Sequence, residues 1–283
     1  MSTTQPTLAE RLGYRADQRL MIVNCDDLGS SHSANVAILR AFDAGVATSA
    51  TLMVPCPWAR EAARMFVGRD VGVHLTLTCE YPGYRWRSLT GAKSLHDDDG
   101  FMPATIEEVW ARADMADVRA ELRAQVEQAL AWGLDVTHLD SHMGTVQLER
   151  RFFDAYLDLA AECDLPMRMS GARQDEALGF EGRRRAAERG ILHTDRFISV
   201  WPKDTRTEFF ARVPSLFPGV TEIFAHPVDD GPELRAYDPD YPDIRANDAL
   251  AFSDPAMVAL FDAAETIRIS YRPLRDLQRG SRA

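Results

Sequence analysis

The chain has 283 residues, 46% of them hydrophobic, enough for one large α/β domain or two modest ones. Its formal net charge of -11 leaves no basic field to replace the counterions of a nucleic acid or to grip an anionic membrane, and fits a neutral or cationic small substrate. Four scattered cysteines without a CxxC pair, a polar N-terminus and no apolar run of membrane-spanning length argue against a disulfide scaffold, a thiolate zinc site and a membrane span; the expectation is a soluble cytoplasmic protein.

Residues 1–19 read as a tail with an irregular lead-in, and 20–283 as a single domain. The apolar run 20–25 predicts a buried strand that ends in two carboxylates, Asp26 and Asp27, followed by Gly29, Ser30 and Ser31, a turn that caps a helix over 31–44. Successive strand residues alternate faces, so Asp26 and Asp27 are not expected to point into one core. Two carboxylates there are costly unless something binds or pairs with them, although a solvated strand end accounts for them equally well.

A second strand follows at 48–54, stopped by Pro55 and Pro57, then a short helix over 58–66 and a third strand at 71–76. The segment 79–105 is long and turn-rich, and its Tyr81, Tyr84 and Trp86 either cover a substrate or pin the loop in a satellite cluster. Val118, Leu122, Val126 and Leu130 recur at helical spacing, which predicts a helix over 116–132. A strand at 136–140, a helix at 148–162 and a strand at 166–169 come next, then a charged, partly helical stretch over 171–190. Strands at 197–200, 220–225 and 266–270 alternate with helices at 205–213 and 254–265, and 228–250 reads as an acidic, irregular loop. Strands alternating with helices imply parallel pairing with helical crossovers. The expected fold is α/β, a closed or partly closed β/α barrel, with a doubly wound open sheet as the alternative.

Both folds gather functional residues at the C-terminal ends of their strands. Asp26, Asp27, His74, His138, Asp140, His142 and His226 all fall at or beside such ends. His138 and Asp140 share one strand face, with Leu139 on the other. One imidazole there can bind a metal while a neighbouring carboxylate orients it. Each histidine taken singly also fits a core residue satisfied by one hydrogen bond. An Asp with two His is a ligand set for a divalent ion with positions left for water, and a spare carboxylate beside it points to hydrolysis. His226 is a candidate donor to a leaving group, or a local hydrogen-bond partner. Arg168 is expected to hold the base, the substrate or a structural ion pair. No Gly-x-Ser-x-Gly supports a serine mechanism.

These motifs, in order and spacing, resemble the YdjC-like carbohydrate deacetylases. The matching stretches are Ile22-Val23-Asn24-Cys25-Asp26-Asp27-Leu28-Gly29, Asn35, the segment from Gly45 to Val54, Val71-Gly72-Val73-His74-Leu75-Thr76-Leu77-Thr78, Thr137-His138-Leu139-Asp140-Ser141-His142 and His226-Pro227. The resemblance implies a modified β/α barrel of the glycoside-hydrolase/deacetylase type that removes N-acetyl groups from amino sugars such as chitooligosaccharides. It implies one divalent metal on Asp27, His74 and His142, with Asp26 as general base and His226 as general acid. Arg168, His138 and Asp140 are left to bind or orient substrate. Zinc or magnesium is expected, with manganese or cobalt tolerated. The expected partner is a small carbohydrate, and a homo-oligomer is expected on base rates alone. The chain departs from the family at Met143-Gly144-Thr145-Val146, where alternating histidines are usual, and at Cys25, where Ala or Thr is usual. Hydrolysis of another amide or ester, or sugar or metal binding without turnover, are the alternatives.

Overall fold

The computed structural model describes residues 5–280. Seven parallel strands form one sheet: β1 Arg19–Leu28, β2 Ser49–Leu52, β3 Val71–Leu75, β4 Val136–Ser141, β5 Arg196–Ile198, β6 Gly219–Ala225 and β7 Thr266–Arg268. The lateral order is β4-β3-β2-β1-β6-β5, and β7 pairs with β1. β1 is long enough to change neighbours along one edge: Arg19, Leu20 and Met21 pair with β7, while Asn24, Cys25 and Leu28 pair with β2.

The period of two along each strand sorts side chains into two layers. Met21, Val23 and Cys25 of β1 join Val73 and Leu139 in the large core under the outer helices. Leu20 and Ile22 face the other way and pack with Ala9, Val220, Tyr271 and Leu274. This inner layer turns polar toward the strand ends, at Asn24, Asp26, His74, Asp140 and Glu222, all buried.

Three strands separate β4 from β6 in the sheet order. Even so, the Arg168 guanidinium reaches Asp140 on β4 (2.6 Å), Asp26 on β1 (2.6 Å) and Glu222 on β6 (2.7 Å). The sheet is therefore curled around its inner layer. The expected β/α barrel takes this partly closed form, and among the described residues no ladder joins β4 to β5.

Several elements differ from expectation. The segment 166–169 is not a regular strand: Pro166 has no N–H to donate, and a single bridge, Leu139 to Met167, joins it to β4. The acidic stretch 228–250 is not an irregular loop. It contains helices Pro232–Tyr237 and Pro242–Phe252, each opened by the proline that reads as a breaker but suits the first helical turn. The lead-in carries a one-turn helix, Leu8–Arg11, with a capping box between Thr7 and Glu10, and Ala9 is buried against the barrel floor. Residues 1–4 of the expected tail lie outside the described residues. A last helix, Arg272–Gly280, follows β7, and Arg275 donates to Asp135 at 2.5 Å. Among the described residues no helix is long and apolar enough to cross a membrane, and all four cysteines are free.

Gly72 of β3 faces inward, where an added Cβ would lie 2.6 Å from the His138 ring and from its carbonyl oxygen. Gly72→Ala is expected to destabilise the fold by about 1–3 kcal/mol through overpacking. Thermal unfolding checks this, and an unchanged midpoint would refute the close packing of β3 on β4.

Candidate active site

The site begins where β1 breaks its alternation. Asp27 has φ 62, the left-handed region, which Asp tolerates better than most residues. The pairing with β2 jumps there, from Cys25–Ala50 to Leu28–Leu52, so β1 holds one extra residue. The kink brings both adjacent carboxylates to the same cleft, against the strand-alternation expectation. Gly29, at φ 88, lets the chain pass Ala59, whose Cα lies 2.9 Å from where a Cβ would sit. Its N–H donates to Asn35 Oδ1 at 2.8 Å, and Ser31 caps helix His32–Asp43.

Asp27, His74 and His142 bring their ligand atoms within 4.8 Å of one another, all buried. Asp27 Oδ1 lies 3.3 Å from His74 Nε2 and 3.2 Å from His142 Nδ1, yet it has no hydrogen-bond partner. The far nitrogen of each ring is engaged by a carboxylate: His74 Nδ1 by Asp140 at 2.8 Å and His142 Nε2 by Glu80 at 3.0 Å. Asp27 Oδ2 is taken by Arg245 at 2.7 Å. Three outer partners thus fix which atoms remain free, the arrangement that orients metal ligands. An orphaned buried oxygen facing two imidazole nitrogens fits a divalent ion. Asp26, His74 and Asp140 also cluster within 4.8 Å, but both carboxylates of that set are engaged by Arg168.

Charges follow from these partners. Burial disfavours the Asp27 carboxylate, but Arg245 outweighs it and holds the group well below its ordinary pKa. Burial likewise opposes charge on His74 and His142, yet Asp140 lifts the first to about 9 and Glu80, with Asp27, lifts the second to about 10.

Asp26 receives Arg168 through both oxygens, at 2.6 and 2.8 Å, and the Asn24 amide at 2.7 Å. Against the cost of burial, Arg168 keeps it ionised and below its ordinary value. Arg168 itself lies over the rings of Phe197 and Phe224. Burial raises Glu222, its third partner, to about 7, and Tyr271 donates to Glu222 at 2.5 Å.

His226 stands at the end of β6 with its ring 4.4 Å from that of Trp201. Its backbone N–H donates to Asp248 at 2.9 Å, while its Nδ1 is buried without a partner. Burial pushes the ring down to about 4, so it is neutral near pH 7. Asp26, Asp27, His74, Asp140, His142, Arg168 and His226 all line one cleft of about 590 Å³.

His138 does not join them. It lies one layer below, stacked on Tyr271 at 3.7 Å, with Nδ1 3.0 Å from Thr137 Oγ1, and burial keeps it neutral. It shares a strand face with Asp140, as expected, but that face runs from cleft to barrel floor. Asp140 orients His74, and Arg168 holds Asp26. Sequence reasoning missed Glu80 and Arg245. Glu80 sits in the long loop already marked by its length, whereas Arg245 is one cation inside an acidic stretch that reads as irregular. Of the loop aromatics, Trp86 pins the loop by donating to Thr78 O at 2.9 Å, while Tyr81 lines the cleft and accepts from Arg245 at 2.8 Å.

Residues 20–263 match the family model described as YdjC-like protein. A carbohydrate deacetylase of Thermus thermophilus is 34% identical over 275 residues, spanning 95% of this chain and 98% of that one. A carbohydrate deacetylase of Geobacillus stearothermophilus is 32% identical over 260 residues, spanning 90% of this chain and 97% of its own length. Among solved structures, a protein of Enterococcus faecalis provisionally described by cellobiose-phosphate cleavage superposes with a TM-score of 0.77 at 21% identity, over 91% of this chain and 99% of that one. At that identity the match concerns the fold.

A cation must displace the protons that the carboxylates hold on His74 and His142. Divalent-ion binding near pH 7 is therefore expected to release about two protons, and affinity to fall as pH drops from 9 toward 6. Calorimetric titration in buffers of different ionisation enthalpy counts the protons; a count near zero would contradict this ligand set.

Proposed function

The chain belongs to the YdjC-like family, and from that premise we propose that it is a carbohydrate deacetylase which hydrolyses the acetamide of an amino sugar or oligosaccharide with one divalent ion. The observation that carries the reading is the buried Asp27 Oδ1, which accepts no hydrogen bond yet faces both His74 Nε2 and His142 Nδ1, with a second carboxylate, Asp26, next to it in the chain and in the same cleft.

Asp27, His74 and His142 would hold the ion. Once bound, it would lower the pKa of a water and polarise the acetyl carbonyl. Asp26 is the base that takes the water's proton. Arg168 grips both of its oxygens, so the carboxylate is aimed and ionised before substrate arrives. Its low pKa makes it a weak base alone, which suits a water already acidified. Asp140 holds His74 and Glu80 holds His142 with one nitrogen each turned inward.

Burial leaves the His226 ring neutral, so as a general acid it would first have to receive a proton in the reaction. It would serve the leaving nitrogen as a hydrogen-bond partner and relay for the proton that Asp26 has taken. Trp201 packs edge-on against the half-buried ring.

Asp26→Asn is expected to bind the ion but lower acetate release at least about 100-fold, the scale of a lost general base. His74→Ala or His142→Ala is expected to lose ion and activity together. Metal content and acetate release on N-acetyl and O-acetyl sugars are the measurements. Undiminished turnover by either histidine variant would refute the site, and release from O-acetyl sugars alone would replace the amide reading with an ester one.

A further inference from the structure

Resting on the deacetylase reading, we propose that the cleft selects neutral or amine-bearing sugars and rejects sugars that carry a phosphate or carboxylate. Six carboxylates line the cleft, those of Asp26, Asp27, Glu80, Asp140, Asp238 and Asp240, against two guanidinium groups, Arg168 and Arg245. A bound divalent ion, or the two protons it would displace from His74 and His142, halves that excess of negative charge without reversing it.

Both guanidinium groups already carry carboxylates. Arg168 spends Nε on Glu222 (2.7 Å), one terminal nitrogen on Asp26 and Asp140 (2.6 Å each) and the other on Asp26 (2.8 Å). Arg245 spends Nε on Asp238 (2.7 Å), one terminal nitrogen on Asp27 (2.7 Å) and the other on the Tyr81 hydroxyl (2.8 Å). Both are buried. The carboxylates already seated on them, Asp26, Asp140 and Glu222 on Arg168 and Asp27 and Asp238 on Arg245, neutralise both cations and repel an approaching phosphate. No lysine lines the cleft.

The mouth adds an unspent negative charge. Asp240 is exposed on the cleft rim beside Tyr241, and among the described residues no cation pairs with its carboxylate. Its own N–H donates to Asp238 at 3.1 Å, which fixes the turn and leaves the side chain toward the opening. A hydroxyl or ammonium of a neighbouring sugar unit finds an acceptor there, and a phosphate finds a like charge, which selects by repulsion as well as attraction.

The test compares kcat/KM for acetate release from di-N-acetylchitobiose and from its 6-phosphate by the ion-loaded enzyme. The phosphorylated sugar is expected to be at least about tenfold poorer at low salt. Added salt should narrow the ratio, because exposed charges are screened, and Asp240→Lys should narrow it further, with Asp240→Asn intermediate. Equal or better use of the phosphorylated sugar overturns the proposal. So does a ratio that neither salt nor the Asp240 variants move, since bulk would then be the cause. A second arm measures binding of glucosamine and glucosamine 6-phosphate to the same protein. If no N-acetyl sugar releases acetate, the deacetylase reading falls and this arm alone decides the charge selection: tighter glucosamine supports it, and equal or tighter phosphate overturns it.

Discussion

A single buried cation holds the interior together. Arg168 pairs with Asp26 and Glu222 on the adjacent strands β1 and β6 and with Asp140 on β4, which the sheet order keeps apart from both. None of the four groups is tolerable alone in that environment, because an unpaired buried charge costs several kcal/mol. The curl of the sheet and the polarity of its inner layer are thus two aspects of one constraint. An open sheet would leave Glu222 and Asp140 without their partner, and an apolar inner layer would leave Arg168 without its own.

The same constraint prepares the chemistry. Arg168 aims Asp26, and Asp140, which it also touches, grips His74. Glu80 and Arg245 do the corresponding work for His142 and Asp27 from two other segments. Each residue facing the centre is held by a partner behind it, so the free atoms are fixed without any contribution from the centre itself. Among the described residues that line the cleft, the buried side-chain atoms left without a hydrogen bond are Asp27 Oδ1 and His226 Nδ1. Orphaned buried polar atoms are rare in a folded chain and usually mark a role.

Both cleft guanidinium groups are paired with carboxylates in this positioning work, and the opening presents acidic and neutral groups outward. Met143, left-handed at φ 51 and 43% exposed, places a thioether side chain at the cleft directly after His142. On the proposed reading, substrate selection and ligand orientation are coupled: the residues that would attract an anion are the ones already paired in the site.

Local pattern was enough to read a parallel α/β fold, barrel or doubly wound, most strand positions and the two acid and histidine motifs, because apolar periodicity and strand-end polarity are written within a few residues. The resemblance carried by those motifs extended this to a ligand set and a base. Proline positions misled where a breaker also starts a helix, at Pro232 and Pro242. Three decisions belong to the tertiary structure alone. Asp26 and Asp27 share a cleft because Asp27 adopts a left-handed turn at a register jump, which strand alternation does not anticipate. His138 and His142 part company because one layer of the barrel separates floor from cleft. Arg245 reaches Asp27 across 218 residues of sequence, and Arg168 reaches Asp26 across 142. Such pairings follow from how far the sheet curls, a property of the whole fold that no local spacing encodes.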